Sequence, residues 1–304
     1  MAQLKDIKTR LQSVRSTQKI TTAMMMVSSA KLQKAQKTLH NLSPYESKLS
    51  EILDLLLSKE ENFTTPFTEK REVKRVAILA IASNTGLAGR FNHNIINELR
   101  SVIDSYRPLG EENILIYPIG LKVSKAVEKM GLKAEEGDFS HLISKPAYSD
   151  IKVLAEELME MFLQKRIDKV ELVYHHFKSK GTLIVTRDQF VPIELNIKGS
   201  NDNENYFEEN REYNNADLEN DYIIEPDSVT IIKDLLPKVL KVKLFTSFID
   251  SSTSEHAARM IAMQIANDNA DNLIDELKRE YNKLRQESIT NELLDIVGGS
   301  FGRG

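Results

Sequence analysis

The sequence predicts an α/β protein in which the two ends of the chain form a long antiparallel coiled coil and the middle forms an α/β domain. Three observations predict it. Glycine is absent from residues 1–85 and from 200–297, and all twelve glycines lie between Gly86 and Gly199 or in the last seven residues. Glycine serves turns and weakens helices, so long helices belong at the ends and loops in the middle. Apolar residues recur at alternating spacings of three and four near both termini. Between them, short runs of β-branched residues alternate with amphipathic segments, the pattern of a sheet layered with helices.

The N-terminal helix follows from a heptad. Positions 4, 7, 11, 14, 18, 21, 25, 28, 32, 35, 39, 42, 46, 49, 53 and 56 form one face, and twelve of these sixteen are apolar. The exceptions are Gln18, Thr21, Ser28 and Glu46. Several sustained heptads define a coiled-coil seam. A helix over residues 3–57 would be about 80 Å long at ~1.5 Å per residue. Pro44 falls inside it and is expected to bend it or disturb one turn. Where the seam turns polar, Ile20, Met24 and Val27 form an apolar stripe beside it, which implies a change of neighbours there.

The C-terminal helix is expected to begin near Pro226, with Asp227 or Ser228 as its N-cap. It should run to Val297 and stop at Gly298-Gly299. Met260, Met263, Asn267, Ala270, Ile274, Leu277, Tyr281 and Leu284 keep the seam spacing, and several alanines nearby permit close helix approach. Pro237 and the Ser251–Ser254 run are possible kinks. One heptad face at each end of the chain predicts an antiparallel pair with a left-handed supercoil.

The middle reads as strands at 76–81, 114–117, 170–177 and 183–195. Helices are expected at 91–106, about 120–130 and 149–166. Strand-helix alternation makes this a Rossmann-like domain with a mainly parallel sheet. The boundaries expected are 1–60 for the N-terminal helix, 72–197 for the α/β domain and 226–304 for the C-terminal helix and tail. Residues 198–224 are acidic and asparagine-rich, which reads as a mobile insertion.

Composition narrows function. There is no cysteine, which excludes disulfides, thiol nucleophiles and cysteine metal sites. No apolar run approaches the ~20 residues that span a bilayer, and the N-terminus lacks the pattern of a signal peptide. The net charge of −4 conceals polarity. Residues 1–40 carry eight bases against one acid, and residues 200–227 carry ten acids against one base. A basic end favours a negatively charged partner. One alternative is therefore a coiled-coil protein that binds nucleic acid. Residues 1–40 contain no aromatic residue for base stacking, which weakens that alternative, although phosphate binding needs only charge.

Catalytic candidates are few. Ser83 to Gly89 follows the first strand and precedes a helix, where α/β folds bind phosphates. Its spacing fits neither a dinucleotide fingerprint nor a nucleotide-phosphate loop, so it reads first as a structural turn. A nucleotide-using α/β enzyme with helical arms remains the second alternative. His175 and His176 are adjacent in a strand, so their rings point to opposite faces and cannot share a metal. Glu255-His256 has no nucleophile elbow nearby. Met24, Met25 and Met26 read as core or as a sliding surface.

The stretch Asp6-Ile7-Lys8-x-Arg10-Leu11-x-Ser13-Val14-x-x-Thr17-Gln18-Lys19-Ile20-Thr21-x-Ala23-Met24-x-Met26-Val27 resembles the start of the gamma subunit of F-type ATP synthases. Ser254 to Met263 and Tyr281 to Gly299 are similar to the C-terminal part of the same family. Ser83, Gly86, Leu87, Gly89 and Asn92 also fit the family's loop, whereas Asn84, Thr85 and Ala88 depart from it. The resemblance implies a central-stalk rotor, not an enzyme, that couples proton flow to ATP synthesis in the beta subunits. It implies no cofactor, and as partners three alpha and three beta subunits, an epsilon subunit and a c-ring, with one copy per complex and no nucleic acid. It implies a peripheral place on the cytoplasmic face of a bacterial inner membrane. Carried over by position, Arg285 and Gln286 meet the beta loop that catches the shaft, with Thr290 and Glu292 near them. Met24 faces the beta lever. Lys5, Lys8, Arg10, Arg15 and Lys19 form a basic rotor face toward stator acids.

Overall fold

The computed structural model describes residues 2–59, 65–69, 71–135, 137, 139–193 and 224–301. The acidic segment expected to be a mobile insertion lies outside the described residues, save Ile224. The chain divides into two compact units, residues 32–258 and residues 1–31 with 259–304. Helices α1 (Ala2–Lys59) and α6 (Ser228–Phe301) contribute to both.

In the larger unit the elements between these helices follow in order. They are β1 (Val76–Ile81), α2 (Phe91–Tyr106), β2 (Ile114–Ile119), α3 (Leu121–Lys129), α4 (Ser140–Ser144), α5 (Tyr148–Leu163), β3 (Lys169–Phe177) and β4 (Leu183–Val191). The sheet order is β2-β1-β3-β4. β1 is parallel to both neighbours, with Val76 opposite Ile114 and Lys169. β3 and β4 form an antiparallel hairpin closed by reciprocal Ser179–Thr182 backbone bonds. Pro192, which has no N–H for a ladder, follows the last residue of β4.

β1 explains the two layers. Successive strand side chains point to opposite faces. Ala77, Leu79 and Ile81 pack with residues of α5, α6 and the end of α1. Val76, Ile78 and Ala80 pack with Ile95, Leu99 and Val102 of α2 and Val123 and Val127 of α3. Both faces are covered, so all six β1 residues are buried and the strand reads as an unbroken apolar run. α6 supplies Ile232, Leu236, Leu240, Leu244 and Phe248, none more than 1% exposed. Burial of each such side chain stabilises by roughly 1.5–3 kcal/mol. A buried polar group fastens the other face. Glu171 receives Arg187 Nε at 2.7 Å and Lys169 Nζ at 2.7 Å, and Tyr106 donates to it at 2.5 Å.

The ends of elements follow local chemistry. Asp227 caps α6, accepting the Thr230 amide at 2.9 Å. α5 ends earlier than its pattern implied, because Lys165 takes a left-handed φ of 57° and the chain turns back on Phe162 and Met161. α1 continues as helix through Pro44, and α6 continues as helix through Pro237, as the expected helix bounds require. α6 also runs past Gly298-Gly299 to Phe301. Ser251–Ser254 lies inside the helix. Thr253 bonds back to the Ile249 carbonyl at 2.7 Å within a continuous helix, and all four side chains are buried.

Gly120 joins β2 to α3 at φ 107°, and a Cβ there would lie 2.3 Å from the Ala82 carbonyl oxygen. Backbone cannot yield as a flexible side chain would. Gly120→Ala should therefore destabilise the protein by at least about 2 kcal/mol, at the upper end of single-site effects, as a lowered urea midpoint followed by circular dichroism.

Candidate functional site

In an open α/β sheet the ligand crevice lies outside the carboxyl ends of the strands, where the strand order reverses. Here that point is between β1 and β3. The position is filled from within the chain. Ser251 of α6 bonds the Ile81 carbonyl at 3.5 Å, and Ser254 bonds the His175 carbonyl at 3.3 Å. Phe91, the first residue of α2, stacks on the His175 ring at 4.3 Å. Burial lowers the His175 pKa to about 4, so the ring stays neutral. His176 points the other way and bonds Asp250 at 2.5 Å, as the strand period requires. The loop after β1 is likewise committed to itself. Ser83 N–H donates to Asn92 Oδ1 at 3.0 Å, and the Ser83 hydroxyl donates to the Thr85 carbonyl at 2.6 Å. Asn84 bridges Ser140, Ser144 and the Leu121 amide. Among the described residues no group of three or more His, Asp or Glu could hold a metal ion.

The other candidate is the smaller unit. All the α1 seam positions from Leu4 to Ser28 avoid full exposure, and so do all eight predicted α6 seam positions. Thr21 donates to Asn267 Oδ1, Thr22 donates to the same oxygen at 3.3 Å, and Gln18 Nε2 donates to Asp271 Oδ1 at 2.5 Å. Asn267 Nδ2 in turn reaches Met25 Sδ at 3.9 Å. These contacts fix an antiparallel register. Carried along both helices, it sets Ile7 level with Tyr281, Val14 level with Ile274 and Leu4 level with Leu284. The polar seam residues are thus partnered across the coil. Outside the same stretch, Ile20, Met26, Val27 and Ile265 are each more than half exposed. This part of the coil is polar within and apolar without.

The structure sorts the predicted contact residues. Lys5, Lys8, Arg15 and Lys19 each follow a seam residue, so they form one exposed row. Arg10 precedes a seam residue, as Ile20, Met24 and Val27 do, and lies on the opposite flank. Met24 is half-buried. Arg285, Gln286, Thr290 and Glu292 are all exposed, and Thr290 Oγ1 donates to the Gln286 carbonyl at 2.9 Å. Because Leu284 is level with Leu4, α6 outlasts α1. Its last turns carry Ile289, Leu293, Leu294 and Ile296, which are 49–69% exposed. Sequence reasoning missed this bare apolar end. The signal was present, since the two seams run out at different distances from their chain ends. Among the described residues no helix is long and apolar enough to cross a membrane.

The crevice at the carboxyl ends of the strands is filled by the chain's own helix, and the last turns of α6 expose apolar residues. The family model described as ATP synthase matches residues 3–301. The ATP synthase gamma chain of Phocaeicola vulgatus is 51% identical over 300 residues, covering 99% of each chain. That of Bacteroides fragilis is also 51% identical with the same coverage. Among solved structures, a chain of the Euglena gracilis mitochondrial ATP synthase, in an assembly of OSCP, F1 and c-ring, matches with TM-score 0.62 at 16% identity. That match covers 99% of this chain and 94% of the other. A chain from the Tetrahymena thermophila central stalk and c-ring matches with TM-score 0.56 at 19% identity, covering 81% and 99%. The chain belongs to the ATP synthase gamma-chain family.

Burial separates the two roles of α6. Ile274→Ala, in the seam at 6% exposure, should destabilise the coil by about 2–5 kcal/mol. Leu294→Ser, at 62% exposure, should change stability by less than about 0.5 kcal/mol. Urea titration of both variants monitored at 222 nm checks the contrast.

Proposed function

We propose that this chain is the central-stalk, non-catalytic subunit of a bacterial ATP synthase, turning within the complex to couple proton flow to ATP synthesis. The observation that carries the proposal is the bare end of α6. A single helix with four exposed large apolar residues is not stable in water by itself and needs a surrounding partner surface. A ring of three alpha and three beta subunits supplies such a sleeve. The inverted stretch around Met24 offers a second apolar surface, suited to a moving contact because methionine adapts to changing neighbours. The epsilon subunit and c-ring meet the α/β domain, and the complex holds one copy, at the cytoplasmic face of the inner membrane.

In this scheme the partners perform the chemistry and this chain transmits torque. Arg285 and Gln286 engage the beta loop that catches the shaft, with Thr290 and Glu292 beside them. Arg285 can bind a carboxylate in a bidentate fork, and Gln286 can donate and accept. Lys5, Lys8, Arg15 and Lys19 attract acidic stator positions over distances set by salt screening. Arg10 serves the opposite flank, alongside Met24.

The test is reconstitution of the assembled complex. Arg285→Ala with Gln286→Ala should lower coupled ATP turnover several-fold while the chain keeps its thermal midpoint, and unchanged turnover would exclude the catch role. Reversing Lys5, Lys8, Arg15 and Lys19 together to Glu should reduce ATP-driven proton pumping, more so at low salt. Reversing Arg10 alone should do less, and pumping unaffected by the fourfold reversal would remove the electrostatic contact.

A further inference from the structure

The larger unit contains a buried carboxyl that neither the fold nor the coupling scheme uses. Glu46 occupies a seam position of α1, where Leu42, Leu49, Leu53 and Leu56 occupy neighbouring ones. Its Oε2 is buried without a hydrogen-bond partner. Beside it lies the buried Thr246 Oγ1 of α6. The charged groups facing it are already committed. Lys243 of α6 pairs with Asp188 of β4 at 2.9 Å and donates to the Gln189 carbonyl at 2.9 Å. Asp250 of α6 bonds His176 of β3 at 2.5 Å and accepts the Phe177 amide at 2.7 Å. Tyr174 of β3 faces the same cluster, and burial keeps its phenol protonated.

We propose that the end of α1 is held on the α/β domain by a one-proton latch at Glu46. Neutral, the carboxyl packs in the seam and can donate its proton to Thr246 Oγ1. Ionised, it adds a third carboxylate to a cluster whose one lysine already serves Asp188, and the segment around it must open toward water. Burial pushes the Glu46 carboxyl up to about 7, against the smaller pull of Thr246 and Lys243, with Asp250 and Asp188 adding to the rise. The folded chain therefore holds a proton that the opened segment releases at an ordinary carboxylate pH. Docking is strongest in acid, weakens as pH rises from about 4.5 to about 7, and then levels off.

Amide hydrogen exchange of the full-length protein tests the latch, with rates corrected for intrinsic pH dependence. Between pH 6 and pH 8 the opening equilibrium of residues 40–57 should rise on the order of tenfold in the wild type. Glu46→Gln, which cannot ionise, should abolish that rise. Asp188→Asn, which frees Lys243 to pair with Glu46, should reduce it. A flat wild-type profile, or equal slopes for the wild type and Glu46→Gln, would overturn the proposal. If Glu46→Gln does not fold, the side-chain carboxyl of Glu46 followed by carbon NMR decides. A midpoint near 7 supports the latch, and an ordinary carboxylate midpoint removes it.

Discussion

The structure depends on the burial of one face of α6 against the sheet. From Ile232 to Phe248 that helix supplies the apolar residues that close the core beneath Leu79 and Ile81. Three and six residues later it meets the carboxyl ends of the strands, through Ser251 and Ser254. The same helix then leaves the domain and becomes half of the coiled coil. A disturbance in this first stretch would reach both units, because both use the one continuous helix.

Much of the fold was legible because it rests on periodicity. The α1 seam could be written from residue spacing alone, and all sixteen positions avoid full exposure. The strands β1 and β2 and the helix α2 were equally plain, since each is an apolar run or an amphipathic repeat. What periodicity did not carry was termination. Gly298-Gly299 resembles a helix stop, yet glycine only permits the left-handed turn and does not impose it. The short α4 has too few residues to show a period.

The contact surface was only partly legible. The basic row could be counted from sequence, but its geometry needed the seam as a reference, and that reference moves Arg10 to the other flank. The inverted stretch from Gln18 to Val27 was visible as a break in register. Its physical sense came from Asn267 and Asp271, more than two hundred residues away, which give the buried polar side chains their partners. The bare tip of α6 was hidden because one sequence face shows no partner length. Glu46 was visible as a polar seam residue, but the cluster around it is assembled from three other elements and no local pattern announces it.

The closed crevice has a mechanical consequence. A helix that merely leans on a sheet through apolar contacts can rotate about its own axis with small loss, because dispersion contacts are non-directional. α6 is also keyed. Its serines address particular strand carbonyls, and Asp250 grips both the ring of His176 and the amide of Phe177. These bonds have direction, so they resist twisting as well as separation. What other α/β proteins keep open as a binding cleft here serves as a keyway that holds this stretch of α6 to the sheet.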